Sequence, residues 1–134
     1  MKDLEILQKL VAGLRTLRPS EFLYSSFVTK YDTENQCGTV CCAWGWMPKF
    51  VPEAGVKWDL GLTSSMSKFP HDLLKINIGF IRFLFYGHDL PTELGEHDYH
   101  LFGDGYNSTL KQVINRIDFV IEKLVRVVDT LIKN

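Results

Sequence analysis

"TLKQVINRIDFVIEKLVRVVDTLI", residues 109 to 132, is the stretch from which the fold can be read. Leu110, Val113, Ile114, Ile117, Ile121, Leu124, Val128, Leu131 and Ile132 recur at the three- and four-residue intervals that line one side of an α-helix. Thr109 followed by Gln112 resembles a capping box, in which each side chain satisfies the other residue's amide. At about 1.5 Å per residue, Leu110 to Ile132 would be roughly 34 Å long. Phe119, Val120, Val125 and Val127 lie beside the main stripe. The helix is therefore expected to pack against its own domain and against a second copy, giving a homodimer.

Working outward, Leu4, Leu7, Leu10, Val11, Leu14 and Leu17 predict a first amphipathic helix over Asp3 to Leu17, stopped by Pro19. Ser20 to Tyr31 is aromatic with mixed periodicity and reads as irregular helical turns. Thr39 is expected to cap a short helix through Trp46, ended by Pro48 and Pro52. The loop region from Glu53 to Phe69 contains an alternating Val56 to Leu60 that reads as a brief strand. Asp72 to Tyr86 predicts a long central helix, with Gly87 after it in left-handed conformation. A short helix follows Pro91 and ends near Leu101 and Phe102, before the tight Gly103-Asp104-Gly105 turn. The reading is a mainly α protein: one compact helical domain over residues 1–134, with a long C-terminal helix and an irregular, loop-rich middle.

Composition narrows the function classes. At 134 residues the chain can bury one sizeable core, and 46% hydrophobic with 23% charged residues at a net charge of -1 is a globular balance. Lys and Arg are scattered among comparable numbers of Asp and Glu, so no basic stripe suggests DNA binding. The longest apolar run, Ile76 to Tyr86, falls short of the roughly 20 residues a membrane span requires. Met1-Lys2-Asp3-Leu4-Glu5 has no signal-peptide core, and three cysteines are an odd number, so reduced thiols in the cytoplasm are expected.

Residues 34 to 53, "ENQCGTVCCAWGWMPKFVPE", hold all three cysteines and two of the three tryptophans. Cys37-Gly38-Thr39-Val40-Cys41-Cys42-Ala43-Trp44-Gly45-Trp46 fits C-G-T-x-x-C-x-x-G-W. Over roughly residues 4 to 120 the chain resembles a family of small phage and prophage proteins. They share that motif, a Pro-and-Phe segment after it (Pro48, Phe50, Pro52-Glu53) and a later helix ending near Leu-Phe (Leu101-Phe102). The resemblance implies phage or prophage origin and action in the cytoplasm of a bacterial host. Many small phage proteins inhibit host defence, by binding a protein or sequestering a nucleotide signal, so an anti-defence role is what the resemblance suggests.

Four readings of the motif compete. As structure, Cys is a small buried hydrophobe, and Gly38 and Gly45 permit close packing. As a cysteine hydrolase, Cys42 or Cys37 would need a histidine within reach, for which His71, His88, His97 and His100 are candidates, His97 and His100 foremost. As a metal site, Cys37, Cys42, His97 and His100 form a two-Cys, two-His set, with the histidines on one face if their segment is helical. The C-x4-C spacing is at the edge of the zinc range, and no metal is expected. As a ligand pocket, Cys37, Gly38 and Thr39 lie at a helix N-terminus suited to an anion, with Trp44, Trp58 and Tyr31 as aromatic faces for a base. Trp44 and Trp46 lie about 200° apart on an ideal helix. Trp46 is therefore assigned to the core and Trp44 to the pocket or a partner surface. Neither G-x-G-x-x-G nor G-x-x-x-x-G-K-[ST] is present, and no cofactor is expected. The reading favours a binding protein for a nucleotide-like ligand or a host defence protein, with the hydrolase as alternative.

Overall fold

Asp3 and Glu5 sit in the first turn of α1 (Asp3–Leu14), where carboxylates suit the positive end of the helix dipole. The Asp3 carboxylate also accepts the Lys75 amide at 2.6 Å, tying the start of α1 to a segment seventy residues on. The computed structural model describes residues 2–22, 41–56, 70–104 and 108–133, with side chains for 2–20, 43–56, 70–104 and 108–127. Within these it is helical, without strands. α2 (Pro19–Phe22), α3 (Cys41–Gly45), α4 (Met47–Phe50), α5 (Pro70–Leu73), α6 (Ile78–Phe85), α7 (Tyr99–Phe102) and α8 (Leu110–Lys133) follow α1, with 3₁₀ turns at Pro52–Ala54 and Thr92–Leu94. None of the described helices is long and apolar enough to cross a membrane.

The long C-terminal helix organises the rest. Its capping box forms as the sequence predicts: the Thr109 amide donates to Gln112 Oε1 at 2.9 Å, and the Gln112 amide donates to Thr109 Oγ1 at 3.2 Å. Leu110, Val113, Ile117 and Val120 are buried along one face. Against that face lie Ile6, Leu7, Leu10, Val11 and Leu14 of α1, and α1 on α8 is the most extensive helix pair. Each such aliphatic contributes about 1.5–3 kcal/mol on burial. An Arg15–Asp118 ion pair crosses the rim of this interface, and Lys9 pairs with Glu53 beside it. Both pairs are exposed and add little.

Gly13 shows how closely α4 approaches α1. A Cβ there would stand 2.1 Å from Phe50 Cγ, so the ring occupies the space that a side chain would need. α6 closes the core with Ile81, Phe83, Leu84 and Phe85. Phe83 meets Phe102 of α7 at 5.1 Å and Phe119 of α8 at 6.0 Å, both edge-on.

Several expectations are corrected. Pro48 does not end the short helix. The helix ends at Gly45, and Pro48 sits in the first turn of α4, where its missing N–H costs nothing. The long helix expected over Asp72 to Tyr86 is broken, because Asn77 caps a new start by accepting the Gly79 amide at 2.7 Å. Gly87 does adopt the left-handed region, at φ 73°. Phe119 and Val120, expected at a dimer face, lie respectively against and inside the chain's own core, whereas Val125 and Val127 are exposed. Thr39 and the strand expected from Val56 to Leu60 fall wholly or mostly outside the described residues.

Candidate functional site

Of the residues expected to bind ligand, Tyr31, Cys37, Gly38, Thr39 and Trp58 lie outside the described residues, as does the side chain of Cys42. Trp44 is placed, and not where the sequence predicts. It is only 4% exposed and packs edge-on against Phe85, with ring centroids 5.1 Å apart. Trp46 is buried as expected, stacked on Phe50 at 5.5 Å with Lys49 over its ring. A 200° separation would put the two rings on opposite sides only of one unbroken helix lying between core and solvent. α3 is instead a single turn packed on α6 and joined directly to α4, and both Trp44 within it and Trp46 just after it are buried.

The histidines are also rearranged. Asp98 accepts the His100 and Leu101 amides and so starts α7 after His97. His97 and His100 therefore do not share a helical face: His97 turns inward while His100 stays exposed. Among the described residues no group of three His, Cys, Asp or Glu side chains is placed to hold a metal.

What the fold does build is a groove between the N-terminal half of α6 and the loop that follows it. At Gly79 a Cβ would come within 3.2 Å of Pro91 Cγ, so the absent side chain lets the loop approach closely. The groove encloses about 680 Å³. Ile78, Phe80, Pro91 and Leu94 supply apolar surface; Arg82, His88, Asp89 and Glu93 surround it. A second hollow of about 530 Å³ shares Asp89 and Thr92 and adds Glu96 and Tyr99.

Two buried side chains hold the loop against the core. His97 Nδ1 accepts the Leu90 amide at 2.9 Å, and Nε2 lies 2.9 Å from the Gly103 carbonyl. One nitrogen must accept and the other donate, which fixes the neutral Nε2–H tautomer. With both nitrogens bonded to backbone, the ring has no lone pair for taking a proton from a thiol.

Arg116 lies fully buried behind it. Its guanidinium donates to Phe102 O (2.7 Å), Phe83 O (2.7 Å), His88 O (2.8 Å) and Gly103 O (3.0 Å), and stacks over the Phe83 ring. Helix C-termini leave carbonyls without intrahelical partners. One cation thus serves the ends of α6 and α7 together, at the pole where positive charge is favoured. Burial pushes its pKa down to about 10, against the pull of Asp89 and Asp104, so it stays charged at neutral pH. At the surface, Tyr99 donates its hydroxyl to Asp89 at 2.5 Å, and that carboxylate raises the phenol pKa.

These residues escape a search for motifs, yet two signals mark them. Arg116 falls three after Val113 and four before Val120, inside the apolar stripe, where an unsatisfied cation could not remain. Between Arg82 and Lys111 there is no lysine or arginine, while Asp89, Glu93, Glu96, Asp98 and Asp104 are all acidic. Comparison with protein-family profiles, curated proteins and solved structures finds no match.

Proposed function

We propose that the chain is a phage- or prophage-derived accessory protein that acts by binding, and that it docks on a host protein, a defence component, through the groove between α6 and the loop after it. The observation that carries this reading is the groove's surface. Ile78 is 48% exposed and Leu94 37%, two large aliphatics facing one hollow with charged groups around them. Apolar surface left open and rimmed by polar groups is the mark of an interaction site. A nucleotide-like ligand suits this groove less well, since Asp89 and Glu93 would repel its phosphates. The hydrolase alternative loses His97 as a base, for the reason given above. Self-association through the exposed Val125 and Val127 of α8 belongs to the same proposal, and sedimentation at micromolar concentration tests it.

The docking reading is tested by co-purification from bacterial cells of the tagged wild type and of an Ile78→Asp/Leu94→Asp variant. The expected result is a host protein retained in stoichiometric amount by the wild type and lost by the variant, with both melting within a few degrees. A partner kept equally by both, or none with either, rejects the groove as the docking site.

A further inference from the structure

We infer that the groove's occupant is a basic segment of a partner protein, with a Lys or Arg side chain set among Asp89, Glu93 and Glu96 and a neighbouring aliphatic side chain on Ile78 and Leu94. This rests on the docking reading and adds the chemistry of the partner.

Charge complementarity carries the argument. The groove and its adjoining hollow share Asp89, and together bring Asp89, Glu93 and Glu96 to one surface against a single lining cation, Arg82. Among the described residues Glu93 and Glu96 form no ion pair, although the chain's overall charge is only -1. Asp89 is held in place by the Tyr99 hydroxyl, which occupies only part of a carboxylate's accepting capacity. Glu93 and Glu96, without an ion-pair partner among the described residues, stand with Asp89 beside exposed aliphatic surface, and that combination fits a cation on an apolar stem, which describes Lys and Arg in a peptide. A metal ion is a poorer fit, because no three acidic or histidine side chains converge among the described residues.

The experiment is selection of a displayed, randomised peptide library on the full chain, followed by fluorescence anisotropy with the enriched peptides. Sequences pairing Lys or Arg with Leu, Ile or Phe should be enriched. Their binding should weaken at least about tenfold with Glu93→Lys/Glu96→Lys, and markedly between 50 mM and 0.5 M NaCl, as screened surface charges require. A milder Glu93→Gln/Glu96→Gln variant should lie between, with melting unchanged. Enrichment of acidic or uncharged peptides, no enrichment at all, or equal displacement by spermine overturns the inference. If Leu94→Asp abolishes binding while the charge variants leave it intact, the basic partner falls and the docking reading stands. If neither matters, both fall.

Discussion

Arg116→Met keeps the length and apolar stem of the side chain but removes the guanidinium that four backbone carbonyls share. Hydrogen bonds from a charged donor are each worth about 1.5–3 kcal/mol, a gross loss of about 6–12 kcal/mol if all four simply vanished. Two effects reduce it. The Gly103 carbonyl keeps the His97 Nε2–H donor, and the protein no longer bears the several kcal/mol that burying a cation costs. Replacing both members of a buried ionic pair by apolar groups is often neutral, but here the partners are main-chain carbonyls and cannot be replaced. The net loss expected is about 3–5 kcal/mol, as when one partner of a buried pair is removed. Against a total of about 5–15 kcal/mol, this lowers the melting temperature by roughly 10–20 °C. Arg116→Lys should lose less, about 1–3 kcal/mol, because one ammonium can serve some of the carbonyls but not the ends of both α6 and α7. Circular dichroism melts at 222 nm measure both. If Arg116→Met melts within about 3 °C of wild type, the carbonyls have other donors and the guanidinium does not hold the two helix ends.

Other outcomes follow from the same packing. Trp44→Ala should destabilise by about 3–5 kcal/mol, as much as Trp46→Ala, because both indoles are buried; a melt unchanged by Trp44→Ala would return that ring to the surface. Gly13→Ala would ordinarily gain about 1 kcal/mol in a helix, but the Phe50 ring in its path should turn this into a loss of about 1–3 kcal/mol, read by urea unfolding. The Tyr99 phenol is held above its ordinary value by Asp89, so any stability from that pair is complete below pH 10 and lost as pH rises through the folded-state value. Asp89→Asn should lower that pKa, seen as one tyrosine ionising earlier in a difference ultraviolet titration.

The elements that could be read from the sequence are those whose signals are local. The α8 stripe and the Thr109–Gln112 box lie within neighbouring turns; the box forms, and the stripe from Leu110 to Leu124 lies in or against the core. Gly87 likewise takes the φ expected of it. Pro48 and Asn77 were harder, since proline suits a first turn as well as a stop, and Asn77 matters only once its side chain takes the Gly79 amide. The groove was not legible as a site. It exists because Arg116, on the last helix, reaches carbonyls some thirty residues earlier, and because His97 bonds to both Leu90 and Gly103. Trp44 misled for a related reason: helical angle decides in from out only when one side of the helix faces solvent, and here Trp44 and Trp46 are both buried.

Site-specific photocrosslinking in bacterial cells tests docking at the groove most directly, with p-benzoylphenylalanine introduced at Leu94, inside the groove, or at Gln8, exposed on α1 away from it. The account predicts a discrete adduct from position 94 alone, identified by mass spectrometry as a different protein crosslinked through a Lys- or Arg-containing segment. Adducts from both positions alike, from neither, or from position 94 only to a second copy of this chain would contradict it.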